Sequence, residues 1–316
     1  MKVVEATSPA GLSSFFAICD KDREGNLIRD PLRIGAIGGG FKLSPRIKTR
    51  VVVEETTNHE VTIYINGKAV SNAITSRNVI RELLRRSKVD NPLRIKVEHY
   101  IPQPIGSGFG TSGAGAITLA IAFSRALKLK LTTMELAQIA HKAEVEAKTG
   151  LGTVGALVTA GSCIVTRKPG AIGYGLVDSI PLDSSKYKII VIYYGPMLTR
   201  DILTDPTVRD RVNKAGWETL SKLLKEPSPE NLLRYSYEFA VKSGFITENL
   251  KRAIKVIEEL NLEIIGYAQN MLGNALHLLV DRSEADDVKM KLQERLEHGK
   301  VLVYDLDDST VILKEE

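Results

Sequence analysis

The fold of this chain is decided by one glycine-rich stretch, Pro102-Gln-Pro-Ile-Gly-Ser-Gly-Phe-Gly-Thr-Ser-Gly-Ala-Gly115. It follows residues 93–98, in which apolar and charged side chains alternate as they do in a half-buried strand. It precedes residues 116–127, an alanine- and leucine-rich segment without glycine or proline that predicts a buried helix. The stretch is therefore predicted to connect a strand to the N-terminus of a helix.

Such a connection predicts a phosphate-binding loop. Glycines let the backbone approach a ligand closely, and the free N–H groups and dipole of a helix start favour an anion. Thr111 and Ser112 add hydroxyl groups at the helix start, where they could cap the helix or contact a metal ion. No lysine follows the last glycine, so this is not a Walker P-loop, and the long hairpin-like region before it argues against a dinucleotide-binding fingerprint. The alternative is a tight turn that only packs a helix onto a sheet.

The composition is that of an ordinary globular protein. The chain has 316 residues, 43% apolar and 26% charged, with a net charge of +5 that suits anionic substrates. No apolar run approaches the ~20 residues of a membrane span, and the first residues predict a strand rather than a signal peptide. Cys19 and Cys163 are far apart, so neither a disulfide framework nor a thiolate metal site is indicated. We expect a cytoplasmic protein that binds neither membranes nor nucleic acid, since no basic run interleaved with aromatics is present.

Two segments near the N-terminus are further candidates for ligand contact. Residues 7–16 combine Pro9 and Gly11 with several hydroxyl residues and predict a loop facing a ligand, or a plain turn. The three consecutive glycines at residues 38–40 indicate backbone that packs closely against a neighbour or a ligand.

The rest of the chain mixes helices and strands. Helices are predicted at residues 77–87, 134–148, 207–225, 229–242, 247–260 and 284–297. Strands are predicted at residues 49–55, 60–66, 156–166, 187–194, 275–280, 301–306 and 309–313. Glu144 lies near the C-terminal end of its helix, where an acidic group opposes the dipole, so it is either a solvated surface residue or a functional one. His141 is interpreted as a packing residue.

The central stretch, a proline followed by Gly-x-Gly-Phe-Gly-Thr-Ser-Gly-Ala, resembles the central motif of the GHMP kinases, a superfamily of small-molecule kinases. Other stretches resemble its archaeal pantoate kinase branch: Ser8-Pro9-Ala10 with Ser13-Ser14-Phe15-Phe16, Asp30-Pro31-Leu32-Arg33 with Gly35, Gly38 and Gly40, Ala140-His141-Lys-Ala-Glu144-Val with Thr149-Gly150-Leu151-Gly152, and Asn270-Met271-Leu272-Gly273-Asn274. The resemblance implies an α+β, GHMP kinase-like fold of two domains. Residues 1–168 would form a ribosomal-S5-like α/β nucleotide-binding domain, and residues 169–316 a ferredoxin-like domain.

The resemblance also implies a reaction and the residues that perform it. The γ-phosphoryl group of ATP would pass to the primary hydroxyl of pantoate, a small hydroxy acid, giving 4-phosphopantoate on the route to coenzyme A. The implied ATP contacts are Pro104, Gly106, Ser107, Gly108, Phe109, Gly110, Thr111, Ser112 and Gly113. Ser112 and Glu144 would bind Mg²⁺, and with Thr153 they are the candidate catalytic residues. The implied acceptor contacts are Ser13, Ser14, Arg33 and Gly38.

Two positions depart from the family pattern. Gly11 stands where similar sequences carry a histidine, and Thr153 stands where many GHMP kinases place a catalytic aspartate. Threonine cannot act as a general base near neutral pH, but phosphoryl transfer has a loose transition state in which positioning and charge neutralisation can supply most of the rate. We therefore hypothesise a kinase that works without a general base.

Several alternatives stay open. The acceptor could instead be shikimate, homoserine or a mevalonate-pathway alcohol, because the glycine loop contacts only the nucleotide. The chain could also be an enzyme of the ribofuranosylaminobenzene phosphate synthase type, or a nucleotide-binding regulator without activity. The sequence leaves the oligomeric state open, with a homodimer as one expectation.

Overall fold

A computed structural model describes residues 1–87, 89, 91–196 and 205–315 of the chain. The strands in these ranges are β1 (Lys2–Cys19), β2 (Gly35–Glu55), β3 (Glu60–Ile65), β4 (Lys68–Ala69), β5 (Leu93–Tyr100), β6 (Cys163–Lys168), β7 (Leu176–Ile180), β8 (Tyr187–Pro196), β9 (Gly266–Gln269), β10 (Gly273–Asp281), β11 (Lys300–Leu306) and β12 (Ile312–Glu315). The helices are α1 (Ile74–Arg86), α2 (Thr111–Ala126), α3 (Thr133–Ala147), α4 (Thr153–Leu157), α5 (Pro206–Leu223), α6 (Pro229–Ser243), α7 (Glu248–Leu260) and α8 (Ala285–Arg295). The expected α+β class is confirmed. No helix in these ranges has the length and apolar character that crossing a membrane requires.

Within the part of the chain that the structure describes, the twelve strands form one sheet. Its main path is β4-β3-β5-β2-β11-β8-β10-β9, and β1, β6, β7 and β12 attach beside β2. The strands pair antiparallel except β3 with β5. The N-terminal strands meet the C-terminal ones where Leu43 and Ser44 of β2 face Leu306 and Asp305 of β11. The predicted domain boundary at residues 168 and 169 stays a prediction. Strands pair across it: β7 pairs with β6, and β12 pairs with β1.

Helix α2 lies at the centre of the larger hydrophobic core. Its small and aliphatic residues are buried nearly throughout, including Ile117, Leu119 and Phe123, as its alanine-rich sequence predicts. The C-terminal strands carry apolar side chains on both faces. On β8, Ile189 belongs to the larger core and Ile190 to a second core under α7 and α8. A strand covered on both faces explains the continuous apolar run of this segment.

A buried polar network joins α2 to the sheet. The Oγ1 atom of Thr49 lies 2.6 Å from Oγ1 of Thr118 and 2.8 Å from Nδ1 of His99. The other ring nitrogen of His99 lies 3.1 Å from Oγ of Ser76 on α1. Burial lowers the pKa of His99 to about 4, so the ring is neutral at ordinary pH. The network satisfies polar groups that would otherwise be unpaired beneath α2.

Two local predictions are wrong. Residues 7–16 are not a loop but part of β1, because two irregularities in the pairing with β2, at Pro9 and Ser14, accommodate the proline and redirect the chain. Residues 156–166 are not one strand: α4 occupies their start and β6 begins at Cys163. The small residues of this segment carry no clear period, so the sequence could not separate the two elements. Strands β7 and β9 were not predicted.

Candidate active site

The glycine-rich stretch forms a loop between β5 and α2, as predicted. Three of its glycines adopt left-handed backbone conformations: Gly106 has φ of 75°, Gly108 of 80° and Gly110 of 58°. A residue with a side chain adopts these angles only at a cost, which explains the glycines. Gly110 is the N-cap of α2, so the helix begins at Thr111 and Ser112 lies in its first turn.

Exposure alternates along this loop. Gly106 is exposed and Gly108, Gly110 and Ser112 are half-buried, whereas the residues between them are buried. Those buried residues are Ser107, Phe109, Thr111 and Gly113. The ring of Phe109 packs against Tyr304 of β11 at a centroid distance of 5.5 Å, so it anchors the loop in the core. The outward-facing groups are therefore the glycine backbone and the Ser112 side chain, and a direct ATP contact by the Phe109 ring has no geometric support.

The backbone of the loop is fixed on its inner side and free on its outer side. Gly11 and Ser13 of β1 donate their N–H groups to the carbonyls of Phe109 and Gly108 at 3.1 and 3.3 Å. Within the described residues, the N–H groups of Gly108 and Gly110 donate to no protein acceptor. The first N–H groups of α2 have no partner within the helix for geometric reasons. These donors can bind an anion.

Glu144 lies against the start of α2. Its side chain is 2% exposed, and a Cβ built at Gly113 would lie 2.8 Å from its Oε2 atom. Gly150 approaches from the other side, where a Cβ would lie 2.5 Å from Oε1. The chain reaches Gly150 because α3 ends at Ala147 and its C-cap residue, Lys148, has φ of 56°, which turns the backbone back over the carboxyl group.

The Glu144 carboxyl group is buried and has no basic side chain as a partner among the described residues. Burial raises its pKa to about 7, and hydrogen bonding from the Ser112 hydroxyl opposes that shift. Among the described residues, no lysine or arginine forms an ion pair with it. A bound Mg²⁺ would supply the missing positive charge, with the Ser112 hydroxyl as a second oxygen ligand. The described residues contain no group of three or more acidic, histidine or cysteine ligands, so the rest of the shell would be water and phosphate oxygens, as Mg²⁺ prefers.

Thr153 is the first residue of α4 and lies beside glycines of the loop and of β1. A Cβ built at Gly110 would lie 2.5 Å from Cγ2 of Thr153, and one built at Gly11 would lie 3.3 Å from it. The methyl group of Thr153 therefore fills the space between β1 and the loop. Ser112, Glu144 and Thr153, which are 41 positions apart at most in sequence, thus meet around the first turn of α2, while their chemical roles stay predictions.

The four predicted acceptor contacts are placed differently. Ser13 is half-buried next to Gly108, whereas Ser14 is fully buried and its hydroxyl lies 2.9 Å from Nε2 of His277. Gly38 packs against the Phe15 carbonyl, so its lack of a side chain is explained within the sheet.

The fourth predicted contact, Arg33, is exposed. Its guanidinium pairs with Asp30 at 3.6 Å and lies 5.9 Å from the Tyr174 ring centroid, and no described contact joins it to the loop. Of these four residues, the structure brings only Ser13 to the loop with a half-exposed side chain.

Sequence reasoning gave no role to Asn270 and His277. Asn270 donates from Nδ2 to the Ser107 carbonyl at 3.4 Å, and its Oδ1 lies 2.9 Å from Nδ1 of His277. The Asn270-Met271-Leu272-Gly273-Asn274 motif was noted only for its resemblance. His277 lies inside an apolar strand, and no sequence signal connects it with Ser107, which lies 170 positions upstream.

Comparisons with known proteins agree with this geometry. The family profile "GHMP kinases N terminal domain" matches residues 72–161. The pantoate kinase of Thermococcus kodakarensis is 30% identical over 296 residues, with 92% of each chain covered. The pantoate kinase of Methanocaldococcus jannaschii is 32% identical over 281 residues, covering 89% of this chain and 94% of the relative. A solved structure named "Phosphotransferase related to CoA biosynthesis pathway" is 29% identical, has a TM-score of 0.85 and aligns over 99% of both chains. The protein therefore belongs to the GHMP kinase superfamily.

Proposed function

We propose that this protein is an ATP- and Mg²⁺-dependent kinase that phosphorylates the primary hydroxyl of pantoate to give 4-phosphopantoate. The observation that carries the proposal is the buried Glu144 beside Ser112 at the start of α2, which has no lysine or arginine partner among the described residues. A nucleotide-binding regulator has no need of such a carboxylate, whereas a phosphotransferase needs a metal at this point. The choice of pantoate is supported by relatives at 30% and 32% identity that carry that name.

The chain's own groups would act mainly by position. The N–H groups of Gly108 and Gly110 and the first turn of α2 would hold the phosphate oxygens. Ser112 and Glu144 would hold Mg²⁺, which when bound neutralises charge on the phosphate groups. Ser13 of β1 lies beside the loop and would face the acceptor.

Thr153 would have no proton-transfer role. Its methyl group is the part that reaches the glycines of the loop, and a hydroxyl cannot accept a proton near neutral pH. The acceptor hydroxyl would lose its proton late, after the loose transition state, so orientation and charge neutralisation would carry the rate.

The experiment that tests this function is an ADP-release assay over a panel of hydroxy acids, with Mg²⁺ present and absent. We expect turnover with pantoate and Mg²⁺, no turnover without the metal, and a product whose mass is that of 4-phosphopantoate. Glu144→Gln and Ser112→Ala serve as variants that lose the metal-dependent rate.

Other outcomes would assign a different function. Activity with shikimate, homoserine or mevalonate but not pantoate would make the protein another kinase of the superfamily. Consumption of phosphoribosyl pyrophosphate without ADP release would favour an enzyme of the ribofuranosylaminobenzene phosphate synthase type. ATP binding without ADP release across the panel would favour a regulator. A cytoplasmic location, a homodimer and the domain boundary at residues 168 and 169 stay predictions.

A further inference from the structure

A buried chain of hydrogen bonds ends on the glycine loop, and the function proposed above gives it no role. It begins at Ser14, whose Oγ lies 2.9 Å from Nε2 of His277. Nδ1 of His277 lies 2.9 Å from Oδ1 of Asn270, and Nδ2 of Asn270 donates to the Ser107 carbonyl at 3.4 Å. Ser14, Asn270 and His277 are all fully buried. The chain connects β1, β10 and the turn before β10 to the loop.

The direction of each hydrogen bond follows from the last one. A carbonyl oxygen can only accept, so Asn270 presents its amide N–H to Ser107 and its Oδ1 to His277. Because Oδ1 can also only accept, Nδ1 of His277 carries the proton, and Nε2 accepts from the Ser14 hydroxyl. Burial lowers the pKa of His277 to about 3, so the ring stays neutral and can hold this tautomer at ordinary pH.

The series of hydrogen bonds from Ser14 to Asn270 fixes the orientation of the peptide group between Ser107 and Gly108. In a planar trans peptide the C=O and N–H groups point in opposite directions. A carbonyl held by Asn270 therefore directs the Gly108 N–H away from Asn270, and that N–H donates to no acceptor among the described residues.

The turn that carries Asn270 is tightly packed on the loop. A Cβ built at Gly273 would lie 2.5 Å from the Ser107 carbonyl oxygen, so only glycine fits there. Leu272 in this turn has φ of 65°, an unfavourable conformation for a residue with a side chain, which the surrounding structure must enforce. Strained backbone of this kind is typical of functional sites.

We propose that His277 is a positioning residue of the kinase reaction, which holds the Ser107–Gly108 peptide through Asn270 so that the Gly108 N–H faces the nucleotide phosphates. The inference rests on the proposed ATP-dependent function. Among the described residues, His277 forms no hydrogen bond with the loop itself, and it acts through the orientation of the Asn270 amide.

Two substitutions of the same residue separate this role from packing. In His277→Asn the side-chain amide can take the place of Nδ1 and still donate to Asn270. In His277→Gln the longer side chain reaches Ser14 instead and leaves Asn270 unpaired. Both remove the ring that packs edge-on against Phe41 at 6.0 Å, so they lose similar packing.

The readout is the equilibrium affinity for ATP with Mg²⁺, measured by calorimetry without acceptor, together with the thermal unfolding midpoint. We expect His277→Gln to bind ATP roughly fivefold to tenfold more weakly, as for one lost hydrogen bond, and His277→Asn to stay within about twofold of wild type. The KM for the acceptor should change little in either variant. His99→Gln alters another buried neutral histidine, which bonds to Thr49 and Ser76 and not to the Ser107–Gly108 peptide. It should lower the unfolding midpoint without changing ATP affinity.

Equal affinities in the two His277 variants, whether both normal or both weakened, would overturn the proposal. If neither variant folds, the pair Asn270→Asp and Ser14→Ala decides it. The first removes the donor to Ser107 and should weaken ATP binding, whereas the second cuts the far end of the chain and should not, and the reverse result would overturn the proposal. A wild-type protein that fails to bind ATP at all would instead reject the proposed function.

Discussion

Two segments of this protein are rich in glycine, and each needs glycine for a different physical reason. In the cluster at residues 38–40, each glycine lies in β2 with ordinary strand angles and packs against β1; a Cβ at Gly40 would lie 1.9 Å from the Leu12 carbonyl oxygen. In the loop at residues 106–113, Gly106 and Gly108 have positive φ, and a Cβ at Gly106 would meet nothing closer than 3.6 Å. The first cluster needs glycine for space and the second for backbone conformation. Conformation, rather than glycine content, marks the backbone that can bind an anion.

The largest effect on activity is expected from a substitution beside the loop at residues 106–113. Glu144→Gln should lower kcat about a thousandfold, because the loss of a metal ligand is worth several kcal/mol of transition-state stabilisation. The measurement is steady-state ADP release with saturating Mg²⁺, with circular dichroism to show that the fold is retained. Unchanged turnover would show that Glu144 is not a metal ligand.

Gly40→Ala, in the cluster at residues 38–40, should reduce stability rather than activity. We expect it to lower the free energy of unfolding by about 3 kcal/mol, because the added methyl group must push β1 from β2. ATP affinity of the folded fraction should stay unchanged. Gly39→Ala is the matched control, since its Cβ would meet the Phe15 ring edge at 2.8 Å, which can shift more easily than a carbonyl. Equal losses in urea titrations of both variants would contradict this account of the cluster.

The Glu144 carboxyl group next to the loop should make the free energy of unfolding depend on pH. The pKa of Glu144 rises from 4.5 to about 7 on folding, so the folded protein holds the proton more tightly. This contribution is fully present below pH 4.5 and is lost as the pH rises through 7, by about 2–3 kcal/mol. Urea titrations at pH 5 and pH 8 without Mg²⁺ should show this loss in the wild type but not in Glu144→Gln. A parallel change in both proteins would mean that other groups are responsible.

Gly106→Ala tests the conformational half of the comparison. We expect about 1 kcal/mol of destabilisation, because alanine must adopt φ of 75° although nothing obstructs its methyl group. Gly67→Ala, in the turn between β3 and β4 with φ of 78° and open surroundings, should cost the same. Only Gly106→Ala should also weaken ATP binding in calorimetry. Weakened binding in both would show that the loop glycine has no specific role.

The smallest effect is expected at Thr153. Thr153→Val keeps the methyl group near Gly110 and removes the hydroxyl, so kcat should stay within about twofold if no proton passes through this side chain. Thr153→Ala, which also removes the methyl group, measures the packing contribution. A large loss of kcat in the valine variant, which keeps the methyl packing, would assign the hydroxyl a catalytic role.

Much of the fold could be predicted from local patterns. The helices predicted at residues 134–148 and 247–260 and the strand-loop-helix unit around Gly108 depend on residues close in sequence, and each prediction is confirmed. The strand through residues 7–16 was missed because Pro9 and Gly11 are usual turn residues, and only pairing with a distant strand keeps them extended.

The candidate site likewise has features that follow from local sequence and features that follow from tertiary packing. The sequence alone determined the loop, the start of α2 and the residue types around them, because glycine spacing and helix propensity are local properties of the chain. Only the tertiary structure decided that Glu144 is buried beside Ser112, that Phe109 faces the core, and that Ser14 reaches His277 across 263 positions. Burial, pKa shifts and hydrogen bonds between distant residues arise when separate elements pack together, and no local pattern records which elements will meet.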